Sequence, residues 1–486
     1  MTETNMNERP NLLYIHSDQH TPNVLGCYGD PLVQTPNLDA LADSGAIFTN
    51  VYAPSPICTP SRMSTLTGRH PYKNECWTNY HVLNSGIPTF AHAMGAGGYR
   101  PILFGRMHSI GPDQLHGYAE RYVGDHCSNY TDSLDVDHGE LQGAPFPQRA
   151  SLQKSGSGQN AYQVHDEDVT ASAVKYINET LAKKDDGEPF CLTVGYMLPH
   201  QPYVAKKEDY DLYKDKITMP KIQVPFSDDL HPHIREWRRD KDIEEVTEEE
   251  VKRARAAYWG LVTRTDKMIG EVIQALKDNG LYENTIVIYS SDHGDQVGEH
   301  SLWWKMTFYE NSVKVPLIVS WPGKIAAGQK IEKVVSSLDL SATMLDLLGC
   351  PEMPNNQGRS LKPILEGEDN LEDIAFSEFC NHKGMIHRMI RKGDYKYNYY
   401  HGYPSQLFNM KEDPDELNDL IDCPDHQEIA AALKEEVLAD WDPDAINEEI
   451  ARKYQEYLMI EGWAHNTTPV DQYYWKLDPA MDYLDK

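Results

Sequence analysis

The sequence predicts an α/β fold: a large, mostly parallel central sheet flanked by helices, followed by a smaller C-terminal α+β domain. Three observations carry this. Short apolar runs alternate with helical patterns over the first 350 or so residues. Those runs are rich in β-branched and aromatic side chains, as strands covered on both faces are. Beyond about residue 370 the pattern changes to a hairpin and then polar helices.

Taken in order, the strands are read at Asn11 to Ser17 (NLLYIHS), Pro101 to Gly105 (PILFG), Phe190 to Tyr196 (FCLTVGY), Thr285 to Ser291 (TIVIYSS) and Val315 to Ser320 (VPLIVS). A long helix is expected from Glu248 to about Lys277. Thr247 and Glu250 make a capping box, Val251, Ala254, Tyr258, Leu261, Val262 and Ile269 recur near helical spacing, and Asn279-Gly280 ends it. Leu338 to Leu348 reads as another helix, stopped by Gly349. Residues 140–160, rich in Gly, Ser and Gln, read as a surface loop, and the polar stretch 221–245 as an insertion. Arg388 to Ile390, the turn Lys392-Gly393-Asp394 and Tyr395 to Tyr400 form a hairpin, with Gln406 to Phe408 as a further strand and helices from about His426. Residues 1–369 are assigned to the large domain and 370–486 to the small one. An aromatic tail (Trp463, Tyr473, Tyr474, Trp475) must pack on its own chain or on a second subunit, so a homo-oligomer is one expectation.

Of the 486 residues, 75 are acidic and 45 basic, a formal net charge of -30. Nucleic acid is therefore not an expected partner, since phosphate binding needs a basic footprint. A small neutral or cationic substrate suits this field better than a long polyanion. Met1 to Pro10 is polar, without the apolar core of a signal peptide. No apolar run approaches the ~18 residues that span a bilayer, so no membrane is expected. Eight scattered cysteines without paired spacing suit reduced thiols and a cytoplasmic location. Three Asn-x-Thr matches, at Asn129, Asn178 and Asn466, carry little weight, because so short a pattern recurs by chance.

The chemistry gathers at strand ends. Four of the runs deliver polar residues at their carboxyl termini: Asp18-Gln19, Arg106-Met107-His108, Pro199-His200 and Asp292-His293. In open α/β sheets the ligand site lies outside those ends. Two aspartates with an amide and an imidazole make a cation site. The oxygens favour calcium or magnesium, and His293 opens manganese or zinc. Next comes Cys58-Thr-Pro-Ser-Arg62, with Leu66-Thr-Gly-Arg69 after it. Pro60 suits a first helical turn, which places Cys58 at a helix N-terminus, where unpaired N–H groups favour an anion. Arg62 lies one turn on, on the same side. A nucleophile, a helix end and a guanidinium together suit a tetrahedral oxyanion such as sulfate or phosphate.

Cys-Thr-Pro-Ser-Arg followed by Leu-Thr-Gly-Arg resembles the signature of the formylglycine-dependent sulfatases, members of the alkaline phosphatase-like superfamily. Asp18 with Leu25 to Gly29, Ser291 to Asp295, Gly298-Glu299-His300 with Lys305, and Pro199 to Tyr203 resemble further segments of that family. The resemblance implies that Cys58 becomes formylglycine through a maturation enzyme, and that its hydrated form attacks sulfur. It implies one divalent metal, calcium first, held by Asp18, Gln19, Asp292, His293 and the modified Cys58. It gives Arg62 to support of the nucleophile and sets Arg106, His108, His200 and Lys305 around the sulfate. His200 then protonates the leaving oxygen, and His108 helps collapse the covalent intermediate.

Three positions depart from the common pattern. Gln19 stands where many members have Asp, His293 where they have Asn, and Arg106 where they have Lys. These variants are similar to the choline sulfatase and phosphonate monoester hydrolase branch, and Gly105 to Gly117 resembles choline sulfatases in particular. The expected substrate is a small sulfate ester of a sugar, an aryl group or a choline-like alcohol, with phosphonate monoester or phosphodiester hydrolysis as the alternative. Asn79 is a candidate substrate contact. Trp77, Tyr80, His81, Trp303 and Trp304 are candidates for an aromatic wall.

Overall fold

The computed structural model describes residues 9–127, 129–130, 136–183, 188–368 and 370–486. The N-terminal stretch read above as polar lies, up to residue 8, outside them. Fifteen strands are found among the described residues: β1 (Asn11–Asp18), β2 (Ala46–Tyr52), β3 (Pro101–Gly105), β4 (Glu120–Tyr122), β5 (Gly156–Gln159), β6 (Cys191–Pro199), β7 (Val204–Ala205), β8 (Thr285–Ser291), β9 (Leu317–Ser320), β10 (Gln329–Ser336), β11 (Ile374–Cys380), β12 (Ile386–Lys392), β13 (Tyr395–Tyr400), β14 (Gln406–Asn409) and β15 (Tyr483–Leu484).

Eight of them form the central sheet in the order β10-β2-β9-β8-β1-β6-β3-β4. Only β9 runs antiparallel to its neighbours β2 and β8. Both faces are covered, and β1 shows how. Leu12 and Tyr14 join the apolar cluster with Met63, Phe90 and Met344, while Leu13 and Ile15 join that of Val169, Leu261 and Ile269. Alternate side chains point to opposite faces, so a strand buried on both reads as an unbroken apolar run. The long helix spans Glu248–Asp278 and begins with the expected capping box at Thr247 and Glu250. A second sheet, β11-β12-β13-β14, is wholly antiparallel and packs against the Gln427–Leu438 helix. A buried ion cluster sits between the two sheets, with Lys396 Nζ 2.9 Å from Glu310 and 2.5 Å from Glu416.

The structure differs from sequence expectation at residues 140–160 and fills in two expectations that the sequence left open. Residues 140–160 are not a loose surface loop: Leu141, Ala144 and Leu152 are buried, and β5 joins β7 and β15 in a three-stranded sheet. Small residues there mark close backbone approach rather than exposure. The polar stretch 221–245 carries a helix, Pro232–Asp240, that buries Ile234 and Trp237. The aromatic tail packs on its own chain. Asp125 N donates to Tyr473 O (3.0 Å), Trp475 N donates to Asp125 O (2.8 Å), and β15 pairs with β5. No described helix is long and apolar enough to cross a membrane.

Candidate active site

β1 lies between β8 and β6, and β3 lies beyond β6, so four parallel strands end side by side. Their carboxyl ends carry Asp18, Asp292-His293, His200 and Arg106-His108, as the sequence predicted. Two residues just past these ends adopt left-handed backbone: Gln19 at φ 65° and His108 at φ 57°. Non-glycine residues are rare there and gather at functional sites. Gly195 on β6 makes room for the turn after β3, since a Cβ on it would lie 1.8 Å from Arg106 O.

The Cys58–Thr67 helix aims its first turn into this crevice. Asn79 Oδ1 accepts from Thr59 N at 3.0 Å, satisfying one of the unpaired donors of that helix start. Cys58 Sγ lies 3.2 Å from His293 Nε2, 3.4 Å from Lys305 Nζ and 3.7 Å from Asp18 Oδ1. Burial, then the Asp18 carboxylate, pushes the Cys58 thiol up to about 11. An unmodified Cys58 is therefore protonated at neutral pH and a weak nucleophile.

Arg62 is fully buried between two carboxylates, with Nε to Asp292 Oδ2 at 2.8 Å and Nη2 to Asp18 Oδ2 at 3.1 Å. Burial alone would raise both acids. The guanidiniums of Arg106 and Arg62 outweigh it at Asp18, which is held well below the usual carboxylate range. Arg62 does the same for Asp292, which falls to about 2. Both are carboxylates at neutral pH.

The donor set fits a divalent cation. Ligand atoms of Asp18, Cys58, Asp292 and His293 lie within 4.8 Å of one another, all buried. His293 Nδ1 donates to Gly294 O at 3.0 Å, which leaves Nε2 with a lone pair facing the group. Burial lowers this imidazole to about 4 and keeps that lone pair available. Gln19 is placed differently. Its Oε1 accepts from Lys305 Nζ (2.5 Å), and its Nε2 donates to Asp295 (2.5 Å) and Gln201 (2.6 Å).

Sequence reasoning gave no role to Asp295 and Gln201, which lie inside the segments singled out above, and missed Asp125. Asp295 Oδ1 accepts the backbone N–H of Val297 and Trp304, and Oδ2 accepts from Gln19 and Tyr203, so it holds Gln19 in place. Asp125 follows β4, a strand of three residues. The strand-end rule that exposed the other ligands would have found it had so short a strand been legible. The aromatic wall dissolves in part: Trp77, Trp303 and Trp304 are core.

The sulfatase family model matches residues 10–350, and the model of the C-terminal region of N-sulphoglucosamine sulphohydrolase matches 298–441. The chain belongs to the sulfatase family. This sulfatase is 33% identical to a choline-sulfatase of Rhizobium meliloti, over 94% of this chain and 92% of that one. It is 32% identical to arylsulfatase K of Bos taurus, over 85% and 78% of the two chains. The phosphonate monoester hydrolase of Agrobacterium radiobacter shares the fold, with a TM-score of 0.75 at 23% identity over 89% and 95% of the chains. The alkaline phosphatase-like architecture expected from the motifs is present, and the enzyme is a hydrolase of sulfate esters.

Proposed function

We propose that this sulfatase cleaves a small sulfate monoester through formylglycine formed from Cys58, with one divalent metal beside it. The observation that carries this is the position of Cys58. Its sulfur sits at a helix start, among Asp18, His293 and Lys305. The aldehyde would supply an oxygen nucleophile, and the ion would supply charge that lowers the proton affinity of that oxygen and polarises the ester.

Asp18, Asp292 and His293 would hold the ion, with the modified Cys58 and Gln19, whose Oε1 accepts from Lys305 Nζ, as the further ligands of this reading. Calcium is the first choice on two carboxylates, and the His293 imidazole keeps magnesium, manganese and zinc open. Arg62 holds both carboxylates. Lys305, whose Nζ lies 3.4 Å from Cys58 Sγ, would bind a sulfate oxygen, and Arg106 adds positive charge beside Asp18. His200 Nδ1 donates to Gln201 O at 2.6 Å, so its Nε2 is the atom that gives a proton to the leaving oxygen. Burial, then Lys305, holds His200 well below its ordinary range. An anionic substrate arriving beside it favours the protonated form.

A cavity of about 150 Å³ is lined by Tyr80, Tyr130, Glu456, Tyr457 and Glu461. Two of its lining residues, Tyr80 and Ile110, follow Asn79 and His108 closely in the chain. Lys453, also in its wall, is paired to Glu75 at 2.9 Å. Glu456 is paired to Arg452 and Glu461 accepts from Tyr457 Oη at 2.9 Å, so it is the aromatic rings that suit an ammonium-bearing alcohol, in line with the choline-sulfatase relative.

Two measurements test this. Conversion of Cys58 replaces a thiol by an aldehyde and lowers the mass of the Cys58 peptide by about 18 Da. That loss is expected when a formylglycine-generating enzyme is present in the producing cell, together with activity. Activity from fully unconverted protein would overturn the nucleophile. In parallel, choline sulfate, an aryl sulfate and phenyl phosphonate are compared by kcat/KM. A higher value on the phosphonate would overturn the choice of ester.

A further inference from the structure

Asp125 belongs to none of the motifs, yet it anchors the cationic side of the site. It is 2% exposed, and the C-terminal tail clamps its backbone on both sides. Its Oδ1 accepts from Arg106 Nη1 at 2.8 Å, and its Oδ2 accepts the backbone N–H of His108 at 3.1 Å. Arg106 spends the rest of its fork nearby: Nε donates to Asp18 Oδ2 at 2.8 Å and Nη2 reaches His108 Nδ1 at 2.9 Å.

A guanidinium only donates hydrogen bonds. His108 Nδ1 must therefore accept, and the one proton of the neutral ring lies on Nε2. A second proton on Nδ1 would point at an N–H of Arg106. His200 has the opposite arrangement, with Nδ1 donating to Gln201 O and Nε2 left to take or give a proton. A lysine at 106 has one nitrogen and no planar fork, and could not serve Asp18, Asp125 and His108 together. That accounts for arginine here where the family usually has lysine.

We propose that Asp125 is a positioning residue: through Arg106 it locks His108 as the Nε2–H tautomer, making His108 a hydrogen-bond donor to the sulfate oxygens and barring it from accepting a proton. The part that the sequence resemblance gave to His108, helping an intermediate collapse, needs a bare ring nitrogen facing the substrate, and the lock removes it. Proton transfer then falls to His200. The role of His108 rests on the reading of the site as one for sulfate esters; the lock does not.

The lock is read by ¹⁵N NMR of histidine-labelled full-length protein, with His108→Asn to assign the resonance. A protonated Nε2 and a bare Nδ1 are expected in the parent protein, and a tautomer mixture in Arg106→Lys. Asp125→Asn keeps the shape of the carboxylate and should lower kcat about 10- to 100-fold, the usual range for a partner that orients a site residue, with a smaller change in KM. Gln at position 108 supplies an N–H donor without a basic nitrogen, so His108→Gln should retain more activity than His108→Ala. A proton on Nδ1 in the parent protein overturns the lock, whatever the activity. Equal loss in His108→Gln and His108→Ala overturns the donor role. A correct tautomer in a protein inactive on every sulfate ester overturns the functional reading instead, and with it the role of His108.

Discussion

At the scale of single residues, Arg62 is the most consequential charge in the molecule. It is wholly buried and lies between two carboxylates that are themselves buried. Removing one partner of a buried pair typically costs ~3–5 kcal/mol, because the other charge is left uncompensated. Arg62→Ala is therefore expected to lower Tm sharply, and added divalent cation should recover part of the loss by replacing the missing positive charge. Melting curves with and without the ion check this; an unchanged Tm would mean that the carboxylates are not held by Arg62. Cys58→Ala is the contrasting case. It removes a small thiol at a helix start, so fold and melting temperature should persist while turnover is abolished. Circular dichroism with an activity assay separates the two effects, and full activity in this variant would refute the nucleophile.

At the scale of elements, the C-terminal tail is part of the active-site scaffold. Gly124 passes so close to it that an added Cβ would lie 1.4 Å from Tyr473 O. Gly124→Ala should lift the tail from Asp125, lowering kcat and exposing the tail to protease, as limited proteolysis would show. A variant with normal kcat would uncouple tail and site. The Pro232–Asp240 helix meets the C-terminal sheet through imidazoles, with the His233 and His387 rings 4.9 Å apart and both near Tyr400. Burial lowers His233 to about 4 and His387 well below its ordinary value, so both are neutral in the fold. The unfolded chain takes up these protons near pH 6.5 and the folded chain does not. Stability should therefore fall as pH drops from about 6.5 toward 4, by this linkage. His387→Leu should reduce that slope by the share of one buried imidazole in a series of Tm against pH; an unaltered slope would exclude His387 as a contributor.

At the scale of the whole molecule, the net charge of -30 bears on substrate encounter. An anionic ester is repelled at low ionic strength, and salt screens the repulsion beyond about 10 Å at 0.1 M. For an anionic aryl sulfate, kcat/KM should therefore rise with added salt. For a zwitterionic ester such as choline sulfate it should change little. Stopped-time assays across a salt series make the comparison, and equal salt dependence for both esters would show that net charge does not steer the substrate.

The sequence by itself determined four of the parallel strands, β1, β3, β6 and β8, and the long capped helix, and it put forward the strand-end residues, Cys58 and Arg62 as the candidate site; β2 and β10 of the same sheet were not legible. β1, β3 and β8 are buried on both faces and so appear as unbroken apolar runs, and each is followed at once by its polar residues. Cys58 and Arg62 lie one helical turn apart, so local geometry alone joins them. What only the tertiary structure decided concerns contacts between distant segments. β4 and β5 are too short or too glycine-rich to show a period. Asp125 stands 19 residues from the Arg106 it holds. Gln19 faces Lys305 and Asp295, more than 270 positions away. The tautomer of His108 depends on which nitrogen meets a guanidinium, and the aromatic tail meets Asp125 from nearly 350 residues along the chain. Periodicity and capping act within a few residues, whereas hydrogen-bond partners across the crevice are set by which strand ends the sheet order brings together.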